Sequence, residues 1–165
     1  MDEKAPKGEE GGNTRVSGNI WFTPEPPDIA AAYLRAMCGD YEVPEKMVQV
    51  WADEMSKNNE WVRSLGGEPS ETEALIVEFP DLPGVECVHV YMNKPETSQF
   101  GADETLWLLL KDCVENREIR ILFATPGKRL VQDPKTKEIL GIIAERAGRN
   151  IAIRAKKAVV LTCGG

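Results

Sequence analysis

The last eight residues constrain the fold of this chain more than any other stretch. Residues 158–165 read AVVLTCGG, an unbroken apolar run followed by a glycine pair. Continuous hydrophobicity, without alternation of polar and apolar side chains, is typical of a strand buried on both faces of a parallel sheet. Helices cover such sheets, so the run predicts an α/β fold.

A second informative stretch lies at the N-terminus. Asp2, Glu3 and Lys4 are followed by GGNTRVSG at residues 11–18. An acidic residue, glycines and short polar side chains suit a backbone that holds a ribose and then passes close to a large planar ligand. On composition alone, a glycine-rich N-terminal tail is the simpler interpretation. The apolar run at the other end of the chain favours the ligand-binding loop.

The composition is that of an ordinary globular domain and argues against several partners. The chain has 165 residues, of which 42% are hydrophobic and 28% charged, enough for one domain with a core. Its net charge of -7 disfavours nucleic acid and anionic membranes, because carboxylates would face phosphates. Neither a membrane span nor a signal peptide is visible, so we expect a cytoplasmic protein.

The cysteines and the single histidine do not form a metal site in the sequence. Cys38, Cys87, Cys113 and Cys163 are dispersed, so neither a zinc site nor a disulfide framework is expected. Alternation predicts that Cys87 and His89 share one face of a strand. A proton-transfer role for His89 is one interpretation. A packed or surface histidine is the simpler one, because no second acid or base is visible beside it.

The first half of the chain predicts two helices. One begins at Pro27, runs to about Met37 and ends before Gly39. A longer one follows Pro44 and is stopped by the glycine pair at 66–67. Its predicted inward stripe consists of Met47, Trp51, Met55, Val62 and Leu65. Asn58 lies on that stripe and is either tied to the backbone or faces a ligand, and we favour the backbone.

The second half predicts mainly extended chain. Residues 74–79 and 85–91 are expected to form a hairpin around a proline- and glycine-containing turn. A helix is predicted from Glu104 to about Arg117, with Asp103 as its cap. A strand at 119–124 and a three-stranded meander follow. The predicted meander strands are 128–132, 139–146 and 151–155, with turns at 133–137 and 147–150.

This order of segments resembles the FAD-binding domain of the fumarate reductase and succinate dehydrogenase flavoprotein superfamily. That superfamily also includes 3-ketosteroid dehydrogenases and tricarballylate dehydrogenase. The resemblance implies a partial FAD/NAD(P)-binding Rossmann-like domain, α/β with α+β character, containing a helical insertion and a three-stranded β-meander. Residues 1–19 would be the ribose and pyrophosphate loop, and residues 20–103 a helical and hairpin insertion. Residues 104–165 would be a helix, the meander and the terminal parallel strand.

The resemblance implies FAD as the cofactor and assigns residues to it. Glu3, next to Lys4, matches the carboxylate that accepts hydrogen bonds from the adenosine ribose, and Gly127 falls where the backbone meets the adenine edge. The loop that wraps the pyrophosphate and flavin side comprises Gly12, Asn13, Thr14, Ser17 and Gly18. The turn near the ADP half comprises Thr162, Cys163 and Gly164. Asn19 and Cys163 stand where the family commonly has glycine and threonine.

The resemblance further implies hydride transfer between flavin N5 and a carbon next to a carbonyl or carboxylate of a small substrate. No residue is a strong candidate for the accompanying acid or base, so no catalytic residue is assigned. The G-x-G-x-x-G fingerprint does not occur. The capping domain that follows the glycine pair in this family is also missing. We therefore expect a piece of a longer flavoenzyme that is inactive alone and binds flavin weakly or not at all.

Two other functions are kept as alternatives. Without a central strand the sheet would have an open apolar edge, so the chain could be a cofactor-less module that forms homo-oligomers through that edge. The third hypothesis is a small hydrolase or transferase with Cys163 as a nucleophile at a strand tip. It is weaker, because no base neighbours that cysteine in the sequence.

Overall fold

The computed structural model describes residues 1–16, 18–72, 79–94 and 105–163. Its helices and strands are, in order along the chain, α1 (Gly12–Arg15), β1 (Ile20–Pro24), α2 (Pro27–Cys38), α3 (Glu45–Met55), α4 (Asn58–Ser64) and β2 (Pro69–Glu71). They continue with a short 3₁₀ helix (Val85–Cys87), β3 (Val88–Asn93), α5 (Thr105–Asn116), β4 (Gly127–Gln132), β5 (Ile139–Arg146) and β6 (Arg149–Arg154).

These elements belong to two compact units. Unit 1 consists of Met1–Arg15 and Val114–Gly165, and unit 2 of Val16–Cys113. Each unit contains a three-stranded antiparallel sheet, with the order β1-β3-β2 in unit 2 and β4-β5-β6 in unit 1. The mixture of helices and sheets confirms the predicted fold class, with its α+β character. No helix within the described ranges is long and apolar enough to cross a membrane.

The core of unit 2 lies where α2 and α3 meet the 3₁₀ helix. Its buried members are Ala30, Ala31, Tyr33, Val48, Ala52 and Cys87. Helix α2 forms as predicted, because a proline suits its first turn and Gly39, with φ of 55°, ends it in a conformation that other residues avoid. Helix α5 also agrees with its predicted bounds, while its predicted cap at 103 lies outside the described residues.

The predicted long helix after Pro44 is wrong, because the chain divides into α3 and α4 at residues 56–57. Ser56 Oγ donates to the Asp53 carbonyl oxygen at 3.0 Å, and such short polar side chains compete with continued helix. The predicted inward stripe is confirmed at Val62, which is 2% exposed, but not at Met47. Val48 is 1% exposed, whereas Met47, which was predicted to face inward, is 62% exposed.

Asn58 is tied to the backbone, as the favoured interpretation predicted. Its Nδ2 donates to the Phe22 carbonyl oxygen at 3.0 Å. The bond joins the first residue of α4 to the middle of β1. The Asn58 side chain therefore links the start of α4 to β1 through a hydrogen bond.

The second strand of the predicted hairpin is present but shorter than predicted. Strand β3 begins at Val88 rather than Val85, because the preceding residues form the 3₁₀ helix. Cys87 and His89 therefore do not share one strand face, and an acid does lie beside the histidine. The acid is Glu71, whose Oε1 lies 2.9 Å from His89 Nδ1. Residues 74–78 of the other predicted strand lie outside the described residues.

Strands β1 and β2 were not predicted. Each contains a proline, Pro24 or Pro69, and β2 has only three residues, so local propensity disfavours both. They form because they pair with the two edges of β3.

The predicted meander of unit 1 is confirmed as β4, β5 and β6. Asp133 shapes its first turn, because one carboxylate oxygen accepts the N–H groups of Lys135 and Thr136 at 2.8 Å each. These bonds lower the pKa of Asp133, since they favour the ionised carboxylate. In the second turn, Ala147 and Gly148 both have positive φ, as two-residue hairpin turns require.

Two predicted strands of unit 1 are absent. At 119–124 only Leu122 is bridged, in parallel with Asp2, and residues on both sides of it, Glu118 and Ala124, have φ of 50°. Residues 158–163 form no strand either, and Val160 is 80% exposed. A continuous apolar run is buried only where strands flank it, and none of the described strands pairs with this one.

Val48 and Val50 offer a matched test of the core of unit 2. Both lie on α3, but Val48 is 1% and Val50 51% exposed. Val48→Ala should lower the free energy of unfolding by about 2 kcal/mol, because it removes two buried carbons and leaves a cavity. Val50→Ala should change it by less than about 0.5 kcal/mol. Urea denaturation followed by circular dichroism measures both, and equal effects would contradict this core.

The Asp133 turn predicts a pH-dependent contribution to stability. Because its pKa is lower in the folded state, the carboxylate stabilises the fold above the unfolded pKa of about 4. That stabilisation is lost as the pH falls through the folded pKa. Asp133→Ala should therefore be less stable than wild type at pH 7 and approach it below about pH 4. Urea midpoints across pH measure this, with Asp40→Ala as the surface-charge control; a pH-independent difference would argue against it.

Candidate functional site

The carboxylate of Glu3 is held at the end of a short parallel pairing in unit 1. The Glu3 N–H donates to the Leu122 carbonyl oxygen at 2.9 Å, and the Glu3 carbonyl oxygen accepts the Thr125 N–H at 2.8 Å. Its side-chain Oε1 accepts the Ala5 N–H at 2.8 Å. Backbone and side chain are thus both fixed, and the half-buried carboxylate has further lone pairs for a ligand hydroxyl.

Gly127, at the start of β4, lies beside the same segment. A Cβ built on Gly127 would lie 3.1 Å from Asp2 Oδ2, so a glycine lets the strand pass close to the carboxylate. Gly127 therefore lies against Asp2, the residue before Glu3. Lys4, between Glu3 and the loop, is exposed.

The loop between Ala5 and α1 is organised by a residue that the sequence analysis missed. Glu10 is only 7% exposed, and its carboxylate accepts the Gly8 N–H. Arg15 Nη1 donates to the Gly8 carbonyl oxygen at 2.7 Å. A single buried carboxylate produces no periodic pattern in the sequence. The only indication that Glu10 is structurally important is its place directly before a glycine pair.

Three of the predicted pyrophosphate-loop residues, Gly12, Asn13 and Thr14, lie in the one-turn helix α1 and are exposed. A Cβ at Gly12 would meet nothing within 4 Å. The chain itself therefore leaves open space over this backbone.

The remaining loop residues belong to the beginning of unit 2. Gly18 is exposed with φ of 74°, and Ser17 lies outside the described residues. Asn19 has φ of 62°, so it adopts the left-handed conformation that a glycine adopts easily. Asparagine tolerates that region better than most residues, which explains how it can stand where a glycine is common.

The predicted ADP-side turn is not held by a strand. Thr162 and Cys163 are exposed and extended, and Gly164 lies outside the described residues. The preceding residues border an open groove of about 690 Å³ in unit 1. Its lining is mainly apolar and includes Leu122, Ile142, Ile153 and Val159, together with Arg120, Arg146 and Arg154.

The described residues offer little for metal or thiol chemistry. No group of three or more metal-ligating side chains occurs among them. Burial raises the pKa of the Cys87 thiol, which keeps it protonated. Cys163 is exposed, and within the described part of the chain it makes no hydrogen bond to a base.

The donor set suits a dinucleotide better. A fixed carboxylate, Glu3, can accept ribose hydroxyls. A Cβ would meet nothing within 4 Å at Gly12 or at Gly18, so each glycine leaves room for a ligand to approach the backbone. These groups recognise hydroxyls and anionic oxygens without a metal ion.

Solved structures with a similar fold include two 3-ketosteroid dehydrogenases. The 3-ketosteroid delta1-dehydrogenase from Sterolibacterium denitrificans, solved with 1,4-androstadiene-3,17-dione, matches with a TM-score of 0.78 and 17% identity over 99% of this chain. The 3-ketosteroid-delta4-(5alpha)-dehydrogenase from Rhodococcus jostii RHA1, solved with 4-androstene-3,17-dione, matches with a TM-score of 0.70 and 18% identity over 96% of the chain. The chain spans 42% and 39% of these proteins' lengths.

A search of curated proteins found no match. The sequence model of a family described as "FAD binding domain" matches residues 7–165. The match confirms the resemblance on which the sequence analysis relied and the prediction of FAD as the cofactor. This chain belongs to the FAD binding domain family.

Proposed function

We propose that this chain supplies the adenosine and pyrophosphate contacts of an FAD-dependent oxidoreductase. The observation that carries the proposal is the fixed carboxylate of Glu3, which accepts the Ala5 N–H and whose backbone is bonded to residues 122 and 125. Because that carboxylate already accepts one N–H, it is oriented before a ribose arrives. Preorganised groups bind with a smaller entropic cost.

The other predicted contacts complete this proposal. The exposed backbone at residues 12–14 and Gly18 would approach the pyrophosphate and flavin side. Lys4 lies next to the ribose carboxylate, and its charge complements phosphate oxygens. The residues Ser17, Thr162, Cys163 and Gly164 are included as predicted from the family motif.

The proposed reaction is hydride transfer between flavin N5 and a carbon adjacent to a carbonyl or carboxylate. Bound FAD supplies the redox chemistry, and the chain orients it. Two structural neighbours were solved with 3-ketosteroids, which supports a carbonyl compound as the substrate class. The substrate and the direction of the reaction belong to the whole protein. For that reason the chain is assigned only the cofactor contacts.

The experiment that tests the cofactor role is an FAD titration of the purified chain, followed by visible absorption and equilibrium dialysis. We expect weak but saturable flavin binding by the wild-type chain, because it supplies only part of the cofactor contacts. Glu3→Gln should weaken binding by about tenfold or more, because hydrogen bonds to a charged acceptor contribute about 1.5–3 kcal/mol.

Glu9→Gln is the matched control, because it makes the same charge change at an exposed position of the same loop. It should leave the FAD dissociation constant within about twofold, since surface charges contribute little. Wild-type chain that retains no flavin would contradict FAD binding by this chain alone. Equal affinities of the two variants would remove the assignment of Glu3.

Self-association is a second candidate function, favoured by the exposed apolar residues Val160 and Leu161, at 80% and 65% exposure. They follow residues that line the groove of unit 1. If two copies associate there, Val160→Ser should shift sedimentation velocity profiles towards the monomer. Val16→Ser is the control, because Val16 is 78% exposed at another position. A wild-type chain that is monomeric at all concentrations would exclude this function.

A further inference from the structure

Asn19 is buried directly after the exposed Gly18. It is 1% exposed and has φ of 62°, and β1 begins at the next residue. A buried primary amide is costly unless its donor and acceptor are both used. The left-handed backbone of Asn19 and its buried polar side chain therefore both require a structural explanation.

The side-chain amide of Asn19 joins two distant parts of unit 2. Its Oδ1 accepts the N–H of Leu106, the second residue of α5, 87 residues further along the chain. Its Nδ2 lies 3.4 Å from the Asn93 carbonyl oxygen at the end of β3. First-turn N–H groups have no partner within their helix, so Asn19 acts as a cap for α5 from outside it.

The partner of Nδ2 is itself firmly placed. Asn93 Oδ1 accepts the Glu68 N–H at 2.8 Å, and the Lys94 N–H donates to the Glu68 carbonyl oxygen at 2.9 Å. Strand β3 is paired on both of its edges. The carbonyl that Asn19 contacts therefore belongs to the most constrained strand of the unit.

Gly18 lacks such support of its own. A Cβ built on it would meet nothing within 4 Å, and its backbone is exposed. Gly18 is joined directly to Asn19, so the amide contacts of Asn19 restrict where Gly18 can lie. An anchor at Asn19 fixes the last turn of the loop before the sheet begins.

We propose that Asn19 is a positioning residue for the cofactor: its buried amide holds Gly18 where the loop meets FAD. This rests on the proposed FAD-binding function. Asn19 is buried and acts through the Gly18 backbone, so its effect on FAD comes from the position of the loop. The amide contacts, and not the left-handed conformation alone, give the residue this role.

Two substitutions separate the backbone from the amide. Asn19→Gly keeps the positive φ without strain but removes both amide contacts, whereas Asn19→Ala also adds strain. If the amide matters, both variants lose function; if only the conformation matters, Asn19→Gly behaves as wild type. Asn93→Ala is the control, because it removes the bond to Glu68 but keeps the carbonyl that Asn19 contacts.

The first readout is hydrogen exchange, which does not depend on FAD. In Asn19→Gly the Leu106 amide and peptides covering residues 16–20 should exchange about tenfold faster, the factor for one lost hydrogen bond. Asn93→Ala should leave these exchange rates within about twofold of wild type. Unchanged exchange in Asn19→Gly overturns the proposal, whatever happens with FAD.

The second readout is the FAD dissociation constant, with the visible spectrum of the bound flavin. Asn19→Gly should bind about fivefold to tenfold more weakly than Asn93→Ala, even where the two variants have equal urea midpoints. A purely structural role would give equal affinities at equal stability, and that result overturns the proposal. If the wild-type chain binds no FAD, the proposed function fails for this chain and the exchange data alone decide the role of Asn19.

A variant with a smaller change covers the case in which Asn19→Gly does not fold. Asn19→Asp keeps the size of the side chain and the acceptor for the Leu106 N–H, but it places an oxygen opposite the Asn93 carbonyl. We expect faster exchange at residues 16–20 and weaker FAD binding. Wild-type values for both would contradict the proposal.

Discussion

The parallel pairing between Asp2 and Leu122 is the contact on which the proposed adenosine site depends. It uses three backbone hydrogen bonds, from Leu122 to Met1, from Glu3 to Leu122 and from Thr125 to Glu3, of 2.9, 2.9 and 2.8 Å. Because both flanking segments lack regular structure, these bonds and the bond from the Ala5 N–H to Glu3 Oε1 set the direction in which the Glu3 carboxylate points. A contact of so few bonds is strong only as part of a larger packed unit.

Unit 2 is organised as much by buried amides as by apolar packing. Asn19 caps α5, Asn58 binds the carbonyl of Phe22, and Asn59 Oδ1 accepts the Trp21 indole N–H at 3.0 Å. Each bond joins β1 or the residue before it to a helix or helix start. Such contacts demand a specific geometry, because a buried amide that loses its partner is destabilising. This geometry fixes the start of β1, where the proposed loop ends.

Features encoded by local chemistry could be predicted from the sequence. The proline and glycine at the ends of α2 and the turn residues of the meander specify their conformations without help from distant parts of the chain. The strands β1 and β2 could not be predicted, because their pairing with β3 overrides the prolines that they contain. The prediction of a buried strand at 158–163 was wrong for the converse reason. Burial of an apolar run depends on neighbouring strands. Glu10 and Asn19 are single polar residues whose burial leaves no periodic signal.

The bridge between the two ends of unit 1 also has a consequence for synthesis. The N-terminal amine donates to the Arg120 carbonyl oxygen across a separation of 119 residues. Long-range contacts of this kind close late, because the intervening chain must first be ordered. On the ribosome, residues 1–5 emerge before residues 120–125, with which they pair. The Glu3 carboxylate, to which we assign the ribose, is therefore in place only after the second half of the chain has been translated.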